Sequence, residues 1–242
     1  MAQISTDKDN GQYLNRIGKL VTEVAKESVQ NHGYFSIAFS GGSAATKICA
    51  AFQKDEYSQA TDFSKWKIFF SDERYVELEH PDSNYKAIKD GLIDKQSAIK
   101  AENVFTLTKT DDLTKDAANY ETQMKSVFTG QEFPKFDLIV LGMGPDGHIC
   151  SLFPNHTLLE EQTKWIGYLQ DSPKPPSERI TFTMNVVNNA ANVVFIATGE
   201  AKAENVRRAV KEEPTKEIPA SLVKPKKGTL YWFLDAGSSS KL

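Results

Sequence analysis

The residues most able to do chemistry lie in Gly142-Met143-Gly144-Pro145-Asp146-Gly147-His148, directly after the apolar run at 136–141 (FDLIVL). Histidine is the side chain best matched to accept a proton near neutral pH, and a neighbouring carboxylate can orient or tune it. His148 is the candidate general base and Asp146 its candidate partner. A structural, hydrogen-bonded histidine is the alternative that this segment alone leaves open. The same stretch matches Gly-x-Gly-x-x-Gly, the dinucleotide signature. That reading is rejected. Pro145 and Asp146 are poor choices for a close diphosphate approach, Pro154 breaks the next segment too early for a crossover helix, and no strand ending in an acid follows at the expected distance.

Two further segments could bind an anion. In Ser40-Gly41-Gly42-Ser43, glycines let backbone N–H groups approach a phosphate, a helix N-terminus adds partial positive charge, and Ser43 offers a hydroxyl. The Gly-Lys-Ser/Thr ending of a Walker A loop and the Gly-x-Ser-x-Gly nucleophile elbow are both absent. Ser71-Asp72-Glu73-Arg74-Tyr75 follows the run at 66–70 (WKIFF). There Arg74 can clamp a phosphate, and Asp72 or Glu73 can serve as acid, base or orienter; a surface ion pair is the plainer reading. His32 reads as a helix-end residue, and His80 and His156 as surface or supporting groups. No His/Cys cluster or carboxylate-rich loop suggests a metal.

These segments need elements to hold them. Apolar residues at helical spacing predict helices over 14–29, 44–53, 83–93 (capped by Asp82 or Ser83), 113–128 and 201–212. Strands are expected at 34–39, 66–70, 136–141, 179–183, 192–198 and 229–234, with a short one near 103–107. The runs FDLIVL and NVVFIAT are apolar on both faces, as central parallel strands must be. Strands separated by helices imply βαβ units. The expected fold is a single α/β domain over 1–242, with a mainly parallel sheet flanked by helices on both faces. In such sheets ligands bind at the carboxyl ends of the strands, where all three candidate segments lie.

Composition narrows the class. The 242 residues carry 29 Lys+Arg and 32 Asp+Glu, a formal charge of −3, and are 40% hydrophobic. That excludes disorder and speaks against a nucleic-acid partner. No apolar run reaches the roughly 18 residues of a membrane span. The polar N-terminus lacks a signal-peptide core, so the sequon at Asn155 is taken as meaningless. Cys49 and Cys150 read as reduced core residues. The PKPP piece at 173–176 reads as a surface loop. Residues 237–242 are expected to form a flexible tail ending in Ser240-Lys241-Leu242, a peroxisomal address read by an import receptor. A cytoplasmic pool is compatible with it.

The stretch FDLIVLGMGPDGHICSLFPNH (136–156) resembles the signature of 6-phosphogluconolactonases. Residues 39–52, 69–85 and 179–206 match further family blocks in order and spacing, over nearly the whole chain. The resemblance implies a three-layer, Rossmann-like fold akin to that of glucosamine-6-phosphate deaminases, no cofactor, and hydrolysis of 6-phosphogluconolactone to 6-phosphogluconate in the pentose phosphate pathway. It implies His148 as the base that activates water, with Asp146 as its orienter and Asp72 beside the ring hydroxyls. It implies Gly41, Gly42, Ser43, Arg74, Lys202 and Arg179 at the phosphate. One departure is Ala44-Ala45, where many relatives carry Thr-Pro. Two other activities are alternatives. The sister deaminase carries a glutamate five residues after the histidine, where this chain has Phe153. A non-catalytic sugar-phosphate sensor would be expected to lose Asp146 or His148.

Overall fold

The computed structural model describes residues 2–242. Its main sheet has six parallel strands: β1 (Gln3–Asp7), β2 (Phe35–Phe39), β3 (Trp66–Phe70), β5 (Leu138–Leu141), β8 (Asn192–Ala197) and β9 (Thr229–Asp235), in the order β1-β9-β8-β5-β2-β3. Central strands must be apolar on both faces, and they are. Leu138 and Val140 of β5 face one core, Ile139 and Leu141 the other. Burying each such side chain stabilises the fold by roughly 1.5–3 kcal/mol.

Helices α1 (Asn10–His32), α2 (Gly42–Phe52) and α4 (Asn84–Gly91) supply the first core, and α5 (Leu113–Val127), α6 (Met184–Asn189) and α7 (Ala203–Lys211) the second. The short α3 (Asp55–Ser58) adds Tyr57 to the first. Local chemistry sets the helix ends. The Asp9 carboxylate accepts from the Gln12 N–H at the start of α1, and Gly33, at φ +89°, closes it. Ser83 caps α4, one of the two residues proposed for that role. The chain order steps from β2 to β3 on one side and to β5 on the other. The β2/β5 gap is therefore a topological switch point, where a crevice opens at the carboxyl ends of the strands.

Several expectations need correction. Residues 71–75, for which no element was expected, contain a strand: β4 (Asp72–Arg74) pairs antiparallel with β7 (Arg179–Phe182), which pairs antiparallel with β6 (Ile166–Leu169) in a second sheet. Residues 179–183, expected in the parallel sheet, belong to this smaller one. In place of the short strand expected near 103–107 there is a 3-10 turn at Ala101–Asn103 followed by one bridge, Ile68 to Val104. β1, too polar to show periodicity, was not expected; it is an edge strand, needing only one apolar neighbour. Residues 237–242 are not a free tail. Ser238 is buried and donates its hydroxyl to Ala197 O, Lys241 pairs with Glu204 at 3.1 Å, and Leu242 packs on the second core. Among the described residues no helix is long and apolar enough to cross a membrane.

Candidate active site

The crevice at the switch point is a cleft of about 180 Å³. Segment 40–43 leaves β2 and enters α2 with Gly41 as N-cap and Gly42 at φ +68°, in the left-handed region that favours glycine. A side chain at Gly41 would collide with the Asn84 carboxamide, so the backbone comes close there only because the residue is glycine. No side chain caps α2, which leaves its first N–H groups for a ligand. From the turn after β8, Lys202 donates to Ser43 Oγ at 3.4 Å. That turn is held from behind: the Asp235 carboxylate accepts the Gly199 N–H and the Ser238 N–H. Burial lowers the Lys202 ammonium's pKa, opposed by Asp235 and aided by Lys174.

The 72–74 triplet divides its work by strand alternation. Asp72 and Arg74 line the cleft. Buried Asp72 accepts Ser151 Oγ at 2.8 Å and Asn84 Nδ2 at 3.3 Å. Glu73 points elsewhere and caps α4, accepting the N–H groups of Arg74, Asn84 and Tyr85 at 2.8 Å and the Ser83 hydroxyl at 3.1 Å. Burial pushes the Glu73 carboxyl up to about 7, against those hydrogen bonds. It is a structural cap, not an acid–base group of the cleft.

Arg74 donates Nη1 to Asp82 O at 2.8 Å, while its Nε is buried without a partner. Directly opposite in the β4/β7 register stands Arg179. Like charges facing each other across strands are unfavourable, and burial and Arg74 both lower the Arg179 pKa. A buried unpaired donor, two facing guanidiniums and a desolvated ammonium together call for an anion.

At the other wall, His148 Nδ1 lies 2.5 Å from Asp146 Oδ1, and the ring packs on Phe153 at 4.7 Å between centroids. The Gly-x-Gly spacing has a physical reason. A side chain at Gly144 would overlap both the His148 ring and the Asp146 carboxylate. Gly147, at φ +83°, turns the chain between them. Lys174 donates to the same Asp146 oxygen at 3.1 Å. Burial alone would raise the Asp146 pKa, but the hydrogen bonds and charges of His148 and Lys174 hold it well below the usual carboxylate range. Such an anion accepts only, so a proton on Nδ1 would complete the contact and leave Nε2 free.

Eight of the nine residues singled out from sequence line this cleft: Gly41, Gly42, Ser43, Asp72, Arg74, His148, Arg179 and Lys202. Asp146 stands behind His148. Arg179 differs from a plain phosphate ligand, since its Nε and Nη2 donate to the carbonyls of Pro176, Lys174 and Pro175. Sequence reasoning missed Lys174, which sits in no motif, and Ser151 and Asn84, which lie within the matched stretches 136–156 and 69–85 but show their part only through their hydrogen bonds to Asp72. His32 meets Asp137 at the end of α1, and His156 caps a 3-10 turn. His80 accepts the Asp82 N–H at 3.1 Å. Cys49 and Cys150 are buried free thiols whose pKa values burial raises. Among the described residues no three His, Cys, Asp or Glu side chains converge as a metal would need.

Residues 8–232 match the family model described as glucosamine-6-phosphate isomerases/6-phosphogluconolactonase. The chain belongs to this family. It is 40% identical over 234 residues to probable 6-phosphogluconolactonase 1 of Arabidopsis thaliana, covering 92% of this chain and 87% of that one. It is 39% identical over 247 residues to probable 6-phosphogluconolactonase 3, chloroplastic, of Oryza sativa, covering 97% and 74%. The fold matches 6-phosphogluconolactonase of Thermotoga maritima with a TM-score of 0.83, at 23% identity and 97% and 100% coverage. A monomeric glucosamine-6-phosphate deaminase superposes with a TM-score of 0.78, at 16% identity and 99% and 100% coverage. The three-layer α/β frame is thus common to lactonases and deaminases, and the choice between them falls to the cleft.

Proposed function

We propose that the protein hydrolyses 6-phosphogluconolactone to 6-phosphogluconate, the lactonase step of the pentose phosphate pathway. The observation that carries this reading is one cleft with a hydrogen-bonded Asp146–His148 pair at one wall and, at another, a cationic cluster, Arg74, Arg179 and Lys202, with no carboxylate among the described residues in ion-pair contact and with Arg74 Nε buried without a partner. The names of relatives about 40% identical support it.

The phosphate is held by the Gly41–Ser43 turn and the cations. Binding at this remote group positions the lactone carbonyl, which lowers the entropic part of the barrier. Water donates a proton to His148 Nε2 as its oxygen attacks C1, and the carbonyl electrons move onto oxygen. The tetrahedral intermediate collapses by breaking the bond between C1 and the ring oxygen. The proton on His148 passes to that leaving oxygen, giving the open-chain acid and the starting histidine. A δ-lactone is an activated ester, so general-base help on the order of 10²–10⁴-fold suffices. Asp72, fixed by Ser151 and Asn84, is placed to accept from ring hydroxyls.

The apolar Phe153 ring lies against His148 where the deaminase reading needs a carboxylate. The direct test runs freshly made 6-phosphogluconolactone and glucosamine 6-phosphate side by side. Acceleration of lactone hydrolysis alone is expected. Turnover of the amino sugar alone would replace this function with deamination.

Peroxisomal targeting through Ser240-Lys241-Leu242 is proposed on the tripeptide alone, and Leu242 would have to leave its packing for a receptor to read it. Deleting Leu242 from a tagged protein is expected to abolish import. Unchanged distribution would remove the proposal.

A further inference from the structure

Lys174 lies in the Pro-rich 170–178 connection between β6 and β7, which sequence reads as a surface loop. Its backbone is nevertheless pinned at both polar atoms. Its N–H donates to Ser172 Oγ at 3.2 Å, and its carbonyl accepts from Ser172 Oγ at 2.8 Å and from Arg179 Nη2 at 3.0 Å. Arg179 also holds the next two carbonyls, those of Pro175 and Pro176, at 3.1 and 3.0 Å. The Ser172 N–H reaches Ser177 O, and Gln170 reaches Glu178. The loop is fixed in place, and what it presents is one ammonium.

That ammonium sits 3.1 Å from Asp146 Oδ1 and 3.2 Å from His148 Nδ1. An ammonium has donors and no acceptor, and an ionised carboxylate has acceptors and no donor. If Nδ1 carried the lone pair, it would face the carboxylate at 2.5 Å with no proton between them. If Nδ1 carries the proton, the imidazole and the ammonium both donate to Oδ1 and the short contact is satisfied. The ammonium also keeps Asp146 ionised and stops its carboxylate from rotating away.

We propose that Lys174, presented by the Arg179-held loop, is a positioning residue for the hydrolysis: it locks Asp146 as a pure acceptor and so fixes His148 in the tautomer whose Nε2 is free to take the proton from water. Arg179 then acts through the loop as well as in the cleft, which explains why two of its nitrogens face carbonyls rather than open space. The inference rests on the lactonase reading only for its kinetic consequence. The tautomer itself is independent of substrate.

The experiment compares wild type, Lys174→Met and Lys174→Arg by two readouts. Imidazole ¹⁵N shifts give the His148 tautomer with no substrate present. Steady-state kinetics on the lactone give kcat and KM separately. Wild type is expected to show His148 as a single Nδ1–H tautomer. Lys174→Met should show the Nε2–H form as well, with kcat down about tenfold and KM within twofold, because only part of the population is misprotonated. Lys174→Arg should restore the tautomer and most of kcat. A Lys174→Met protein that keeps the single tautomer overturns the proposal, whether or not its kcat falls, and so does one whose tautomer changes while kcat stays at the wild-type value. If wild type fails to hydrolyse the lactone, the functional reading falls, while the ¹⁵N comparison still decides the role of Lys174.

Discussion

The two ends of the cleft are built on opposite terms. At the phosphate end, donors are left wanting: Arg74 Nε is buried without a partner, α2 begins without a side-chain cap, and the Lys202 ammonium is desolvated. At the hydrolytic end, Nδ1 of His148, Asp146 and Lys174 satisfy one another before any substrate arrives. The first arrangement stores binding energy that only an anion releases. The second is preorganised, so nothing need be rearranged when water is deprotonated. Substrate recognition and chemistry can therefore be damaged separately.

Breaking the hydrolytic end should give the largest effect. His148→Gln is expected to lower kcat by about 10²–10⁴-fold with KM little changed, because general-base help is lost while the phosphate contacts stay. Comparable losses in kcat and in 6-phosphogluconate affinity would merge the two ends. Asp146→Asn should come close behind, since a carboxamide can donate to Nδ1 and select the wrong tautomer. Its affinity for 6-phosphogluconate should hold, which calorimetry would check. Arg74→Ala works from the other end. Losing one charge-assisted hydrogen bond, worth about 1.5–3 kcal/mol, should raise KM roughly 10- to 100-fold with kcat changed far less. An unchanged KM would remove Arg74 from the phosphate site.

The smallest effect lies behind both ends, at Glu73. Its folded pKa of about 7 exceeds the ordinary 4.5, so the folded state binds the proton more tightly. Its contribution to stability is therefore full below about pH 4.5 and declines as the pH rises towards 7. The decline should be on the order of 3 kcal/mol. Urea midpoints at pH 5 and 7.5 should differ more in wild type than in Glu73→Gln. Equal differences would place the titration elsewhere.

Much of this cleft was legible because its residues lie in short motifs after apolar strands. The runs WKIFF and FDLIVL announce themselves by burial on both faces, and the switch-point rule then places their trailing segments together. Gly144 was legible as a pattern but not as a reason: its lack of a side chain makes room for the Asp146–His148 pair rather than for a diphosphate. The second sheet was not legible. Asp72-Glu73-Arg74 is three charged residues long, and its strand character comes from pairing with β7 rather than from its own hydropathy. Lys174 was hidden for a related reason. A lysine among prolines reads as solvated, and only the local hydrogen bond from Arg179 and the distant one to Asp146 bring it beside His148. The tail at 237–242, small and polar, gave no sign of the buried Ser238 or the packed Leu242.

The division of labour between the two ends is tested most directly by hydrolysis of 6-phosphogluconolactone above its spontaneous rate, measured at saturating substrate for wild type and His148→Gln, with 6-phosphogluconate affinity measured on both. The expected result is strong acceleration by wild type, a rate about 10²–10⁴-fold lower for the variant, and equal affinities. A variant that hydrolyses the lactone as fast as wild type would contradict the account, because the chemistry would then not run through His148.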